Sequence, residues 1–71
     1  MICLYYGAEV AAVFPDDVSW QEVVGKITAL RGETPYIRIW NKDGKTWFDY
    51  GSHTKFYHTD REVYHGEDGS D

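Results

Sequence analysis

Apolar and polar side chains alternate most regularly between Ile37 and Tyr50, on either side of Asp43-Gly44. Asp-Gly is a strong two-residue turn signal, because both central positions of a type I′ turn need a positive φ. With that turn, Lys42 pairs with Lys45, Asn41 with Thr46, Trp40 with Trp47, Ile39 with Phe48, Arg38 with Asp49 and Ile37 with Tyr50. Side chains alternate across a strand, so Ile37, Ile39, Phe48 and Tyr50 share one face. Tyr36, Arg38, Trp40, Trp47 and Asp49 share the other. A three-residue loop would set Ile37 opposite Asp49 and bury a carboxylate among aliphatics, which favours the two-residue register. In that register Trp40–Trp47 and Arg38–Asp49 are cross-strand pairs, each worth roughly 0.2–1 kcal/mol.

After a turn at residues 51–54, Lys55 to Thr59 reads as a further strand. Closing it at Tyr50–Lys55 sets Phe48 opposite Tyr57 and Trp47 opposite His58. Tyr57 then joins the aliphatic face, and Phe56 and His58 join the tryptophan face. Near the start, Ile2, Leu4 and Tyr6 alternate and predict a strand ending at Gly7. Ala8 to Phe14 fits either an extension of the sheet or a short helical turn, and Pro15-Asp16-Asp17 breaks it.

A helix follows. Ser19-Trp20-Gln21-Glu22 is a capping box, with Val18 and Val23 placed as a hydrophobic staple. Trp20, Val23, Val24, Ile27 and Leu30 recur at helical spacing. Asp16 and Asp17 complement the positive helix start, Arg31 falls in the last turn, and Gly32 fits the position after it. Gly25 costs about 1 kcal/mol relative to Ala and suggests close packing on the sheet. The fold class expected is α+β, a single helix packed on a small antiparallel β-sheet in two layers. One domain spans residues 1–65, and the acidic tail, residues 66–71, is expected to be disordered. The helix covers the Ile37/Ile39/Phe48/Tyr50 face, leaving the Tyr36/Trp40/Trp47/Phe56 face without a second layer.

Seventy-one residues allow one domain at most, and a chain of that size buries only about 60% of its unfolded surface. An aromatic content of 17% offsets this, because each ring buries a large area. The single Cys3 excludes an intrachain disulfide and suits a reducing cytosol. No apolar run reaches the ~20 residues of a transmembrane helix, and Met1-Ile2-Cys3-Leu4 has no basic leader. The chain is therefore expected in the cytoplasm, away from membranes. A net charge of −5 argues against direct binding of a nucleic-acid backbone and points to a basic partner or to plain solubility.

The candidate partner-binding residues form two groups. Trp40 and Trp47 lie on the uncovered face, and Trp, Tyr and Arg dominate interface energetics. The plainer alternative is that a terminal segment folds over these rings, or that they only stabilise the hairpin. The second group is acidic: Asp43 at the hairpin tip, with Glu33, Asp60 and Glu62 on exposed segments. Carboxylates spaced like phosphates would compete with DNA for Lys and Arg in a basic groove; the alternative is ordinary solvated charge. His53, His58 and His65 lack zinc-ligand spacing, so no metal or other cofactor is expected. Ser19 is accounted for by capping, Cys3 has no identifiable base, and Asp49 with His58 lacks a nucleophile, so no enzyme is expected. Base stacking on the sheet needs a basic surround; Arg38, Lys42, Lys45 and Lys55 supply only a partial one.

Asp43-Gly44-Lys45-Thr46-Trp47-Phe48-Asp49 resembles a hairpin pattern, Asp-Gly-Lys-x-Trp-x-Asp, of small phage-encoded anti-CRISPR proteins. The likeness covers about a tenth of the chain, and Asp-Gly-Lys is general turn chemistry. It implies a stoichiometric inhibitor of a type I surveillance complex, type I-C being the subtype in view. Its partner would be a basic nucleic-acid-binding Cas subunit in the host bacterial cytoplasm, blocked by DNA mimicry. The other class of function is a small structural or accessory interaction module, a phage morphogenesis factor or antitoxin-like protein, binding through its aromatic face.

Overall fold

A computed structural model describes residues 1–32, 37–51 and 55–65. In chain order they form β1 (Ile2–Tyr6), β2 (Glu9–Phe14), α1 (Trp20–Arg31), β3 (Arg38–Lys42), β4 (Lys45–Asp49) and β5 (Tyr57–Thr59). The strands make a five-stranded sheet in the order β2-β1-β5-β4-β3, and every neighbouring pair is antiparallel. One helix packs on one face, so the α+β, two-layer expectation holds, with sheet predominating.

The hairpin register is the expected one, from Arg38 opposite Asp49 to Lys42 opposite Lys45. Asp43 (φ 55°) and Gly44 (φ 73°) both take the left-handed conformation that a type I′ turn requires. Beyond it, Trp47 faces His58 and Phe48 faces Tyr57. Ala8 to Phe14 resolves as strand, from Glu9 onward. Its alternation is broken by a bulge: Leu4 pairs with Ala12 but Tyr5 with Val10, leaving Ala11 as the extra residue. Phe14 and Ala12 therefore pack towards the core, while Val10 and Val13 stand exposed.

The helix begins as the capping box dictates. Ser19 Oγ accepts from the Glu22 N–H at 3.2 Å, and Glu22 Oε1 accepts from the Ser19 N–H at 3.3 Å. At its end the Gly32 N–H donates to the Thr28 carbonyl at 2.7 Å. Val23 and Ile27 are fully buried and Trp20 and Val24 partly so, but Leu30 is 49% exposed and drops out of the expected stripe. Gly25 likewise departs from expectation: it lies on the exposed side, with nothing within 4 Å of where a Cβ would be.

The core joins Val23 and Ile27 to Ile2, Leu4, Phe48, Tyr50 and Tyr57 on the helix side of the sheet. Burying each such side chain contributes roughly 1.5–3 kcal/mol. Val63 closes the margin of this core. Two buried threonines bring it there. Thr59 Oγ1 donates to the Arg61 carbonyl at 2.6 Å, and Thr46 Oγ1 accepts from the N–H groups of Val63 (2.8 Å) and Tyr64 (3.2 Å). Tyr64 then meets Trp20 edge to face at 5.2 Å. The segment after β5 thus runs along the helix side.

Candidate functional site

The face opposite the helix carries the candidate site. β1 lies within the sheet and residues 61–65 run on the helix side, so neither covers this face. Across its middle, rings from consecutive strands stack. Tyr5 and His58 are 5.1 Å apart with 17° between planes, and His58 and Trp47 are 4.6 Å apart at 30°. The registers Tyr5–His58 and Trp47–His58 produce this row. Burial among the rings pushes the His58 imidazole below its ordinary pKa of 6.5, Lys45 adds to the effect and Asp60 opposes it.

Towards β3 the arrangement changes. Trp40 meets Phe56 edge to face, 6.0 Å apart at 80°. The Trp47 indole N–H donates to the Lys42 carbonyl at 3.1 Å, which ties it to the neighbouring strand. Between Trp40, Trp47 and Phe56, with Lys42 and Asp43 at the margin, lies an open cleft of about 300 Å³. A second one, about 440 Å³, runs along Arg38, Ile39 and Trp40. The Arg38 guanidinium stands 5.3 Å from the Trp40 ring centroid and 3.9 Å from an Asp49 carboxylate oxygen. The other Asp49 oxygen accepts from the Gly51 N–H at 2.9 Å. Asp49 is therefore engaged with Arg38 across the hairpin and with the Gly51 backbone.

The expected acids behave differently from one another. Antiparallel pairing brings the start of β1, the ends of β2 and β5 and the β3–β4 turn to one end of the sheet. Asp43, Asp60 and Glu62 belong to that end, joined by Asp16 and Asp17 after β2. Lys42, Lys45 and Arg61 accompany them. Asp60 also helps to hold the sheet together. Its carboxylate accepts from the Cys3 N–H at 3.2 Å, and its own N–H donates to the Cys3 carbonyl at 3.1 Å. Asp16 receives the amino terminus and lies 3.9 Å from Arg61. The amino terminus holds its carboxyl below the ordinary value of 3.8. Glu62 and Asp43 are exposed. Glu33, Tyr36, His53 and the tail, residues 66–71, lie outside the described residues.

Sequence reasoning placed Trp40, Trp47, Phe56 and His58 on one face correctly but missed Tyr5, Val10 and Val13. Tyr5 joins the row because β1 lies beside β5, a long-range pairing with no local signal. The valines join because of the bulge, which the run of alanines conceals. Among the described residues, the fold and site define an α+β protein with an aromatic sheet face that carries no second layer. No protein-family model, curated protein or solved structure matches the chain.

Proposed function

We propose that this chain is a non-catalytic binding protein that inhibits a basic, nucleic-acid-binding partner by occupying the surface DNA would hold. The observation that carries this reading is the placement of Asp43, Asp60 and Glu62 with Asp16 and Asp17 at one end of the sheet, beside an aromatic face that no second layer covers among the described residues. Carboxylates next to apolar rings suit a groove lined by Lys and Arg, where they replace phosphates and release counterions. The hairpin likeness directs the choice of partner to a DNA-binding subunit of a type I CRISPR surveillance complex, in the bacterial cytoplasm. A gel shift of target DNA by such a complex, with and without the chain, tests the reading. Loss of DNA binding at near-stoichiometric inhibitor supports it; unchanged DNA binding at excess inhibitor opposes it.

A second reading has its own observation. Val10 and Val13 are 56% and 50% exposed on the same face as the ring row, and contiguous apolar surface marks protein contact sites. An accessory or structural interaction module would bind through that face with little salt dependence. Trp40→Ala would then abolish binding, while charge substitutions at Asp43 and Glu62 would leave it intact.

A further inference from the structure

β2 is an outer strand of the sheet, and its far side pairs with no other strand among the described residues. The hydrogen bonds of β1 fix where the β2 backbone points. The Asp60 N–H donates to the Cys3 carbonyl at 3.1 Å, and the Gly7 N–H donates to the Phe56 carbonyl at 3.2 Å. Cys3 and Gly7 therefore turn their backbones towards β5 and the residues flanking it. Tyr5, midway between them, does the same, because bonding directions alternate along an antiparallel strand. Ile2, Leu4 and Tyr6 are left to bond β2. Val13 and Val10 lie opposite Cys3 and Tyr5. Each is therefore in a non-bonded pair and turns its own N–H and C=O outward.

The bulge gives these two valines a common orientation. In a regular strand, residues three apart face opposite sides and bond in opposite directions. The extra residue Ala11 restores the match. Val10 and Val13 both stand exposed, while Ala11 and Ala12 pack towards the core. Glu9-Val10-Ala11-Ala12-Val13-Phe14 is then self-complementary. Laid antiparallel about a two-fold axis between Ala11 and Ala12, it sets Val10 opposite Val13 of a second copy, and Val13 opposite Val10. Glu9 falls opposite Phe14, so no like charges meet within the strand. β3, the outer strand on the other side, lacks this property. The same operation about Trp40 sets Arg38 opposite Lys42, and like charges directly opposed destabilise a strand pair. A bulge often protects a sheet edge by twisting it; here it matches the edge to a copy bulged at the same place.

We infer that the chain self-associates as a two-fold dimer through the outer edges of β2, joining two five-stranded sheets into one. Main-chain bonds between the opposed valines hold the seam, as in strand addition generally. The contact is isologous and closes on itself, so it gives dimers rather than fibres. Both ring rows then lie on one side of the joined sheet and both helices on the other. One strand edge is small beside the roughly 1,200–2,000 Å² of a standard interface, so association falls between about 10 μM and 1 mM. The inference stands apart from either reading of the partner.

Sedimentation equilibrium of the full chain across about 10 μM to 1 mM tests it. The mean mass should rise from the 8.2 kDa of one chain towards twice that value. In a mixture of isotope-labelled and unlabelled chains, filtered NOEs should join the methyl groups of Val10 to those of Val13. Exchange of the Val10 and Val13 amide protons should slow as the protein concentration rises. Val10→Lys/Val13→Lys alters two exposed side chains and sets like charges opposite each other across the seam. It should weaken association about tenfold, with the circular dichroism spectrum unchanged. Four results would each overturn the inference: the mass of one chain throughout, intermolecular NOEs confined to another surface such as the ring row, valine amide exchange independent of concentration, or a double variant that associates as tightly as the wild type. The first three are read on the wild-type protein and decide the matter even if the variant fails to fold. No partner is present, so the result is independent of the DNA-displacement assay.

Discussion

His58 lies flat against Trp47, with ring centroids 4.6 Å apart and 30° between their planes. Tyr5 covers it from the β1 side, and its Nδ1 is buried without a hydrogen-bond partner among the described residues. This surrounding favours the neutral ring. The folded-state pKa is lowered from 6.5, so on acidification the unfolded chain takes up the proton first. Stability is then greatest above pH 6.5 and declines as the pH falls through the lowered folded value. Thermal melts between pH 8 and about pH 5 should show this decline, and His58→Phe, which keeps a stacked ring, should flatten it. A His58→Phe profile as steep as the wild type would show that the acid sensitivity arises elsewhere.

Thr46 holds the segment after β5 against the core. Its hydroxyl donates to Asn41 Oδ1 at 2.7 Å and accepts from the N–H groups of Val63 and Tyr64. Thr46→Val keeps the shape and strands a buried N–H, a loss of about 1–3 kcal/mol. For a domain this small, each lost kcal/mol lowers the melting temperature by about 4–8 °C. Thr46→Ser should restore most of the loss. Urea unfolding of the pair would show it.

Gly25 inside α1 and Gly32 at its C-cap should respond in opposite directions to alanine. Gly25 is exposed, inside α1, with open space where a Cβ would stand. Gly25→Ala should stabilise the protein by about 0.5–1 kcal/mol. Gly32 ends the helix at φ 86°, a conformation costing a side-chain-bearing residue about 1–2 kcal/mol. Gly32→Ala should destabilise accordingly. Opposite shifts of the denaturation midpoint, at unchanged slope, are the expected pattern.

What was legible in the sequence was local. Asp43-Gly44 set the β3–β4 register, and the expected facing of Trp47 and His58 is present, although β5 starts at Tyr57 and not at Lys55. Ser19 and Glu22 marked the helix start to the residue. The rest depends on which distant strands meet. Nothing in Ile2–Tyr6 specifies β5 as its neighbour, so the third ring of the row, Tyr5, went unassigned. Ala11 and Ala12 pack equally well on either side of a bulge, so β2 could not be phased. Leu30 shows helical spacing but lies a turn beyond Ile27, where it is largely exposed. Among the acids, the sequence identified exposed carboxylates without their common location, and it did not reveal that Asp60 is also bonded to β1.

That last point decides which charges to change. Reversing Asp60 would break its bonds to Cys3 and confuse binding with folding, whereas Asp43 and Glu62 are exposed and free of such a role among the described contacts. The most direct test of the central claim is therefore the salt dependence of binding to a type I DNA-binding Cas subunit, measured calorimetrically for the wild type and for Asp43→Asn/Glu62→Lys. A DNA mimic predicts affinity that falls steeply with salt, and a weaker, flatter dependence in the double variant, because fewer counterions are released. Salt-independent binding, or a double variant that binds as tightly as the wild type with the same slope, would contradict it.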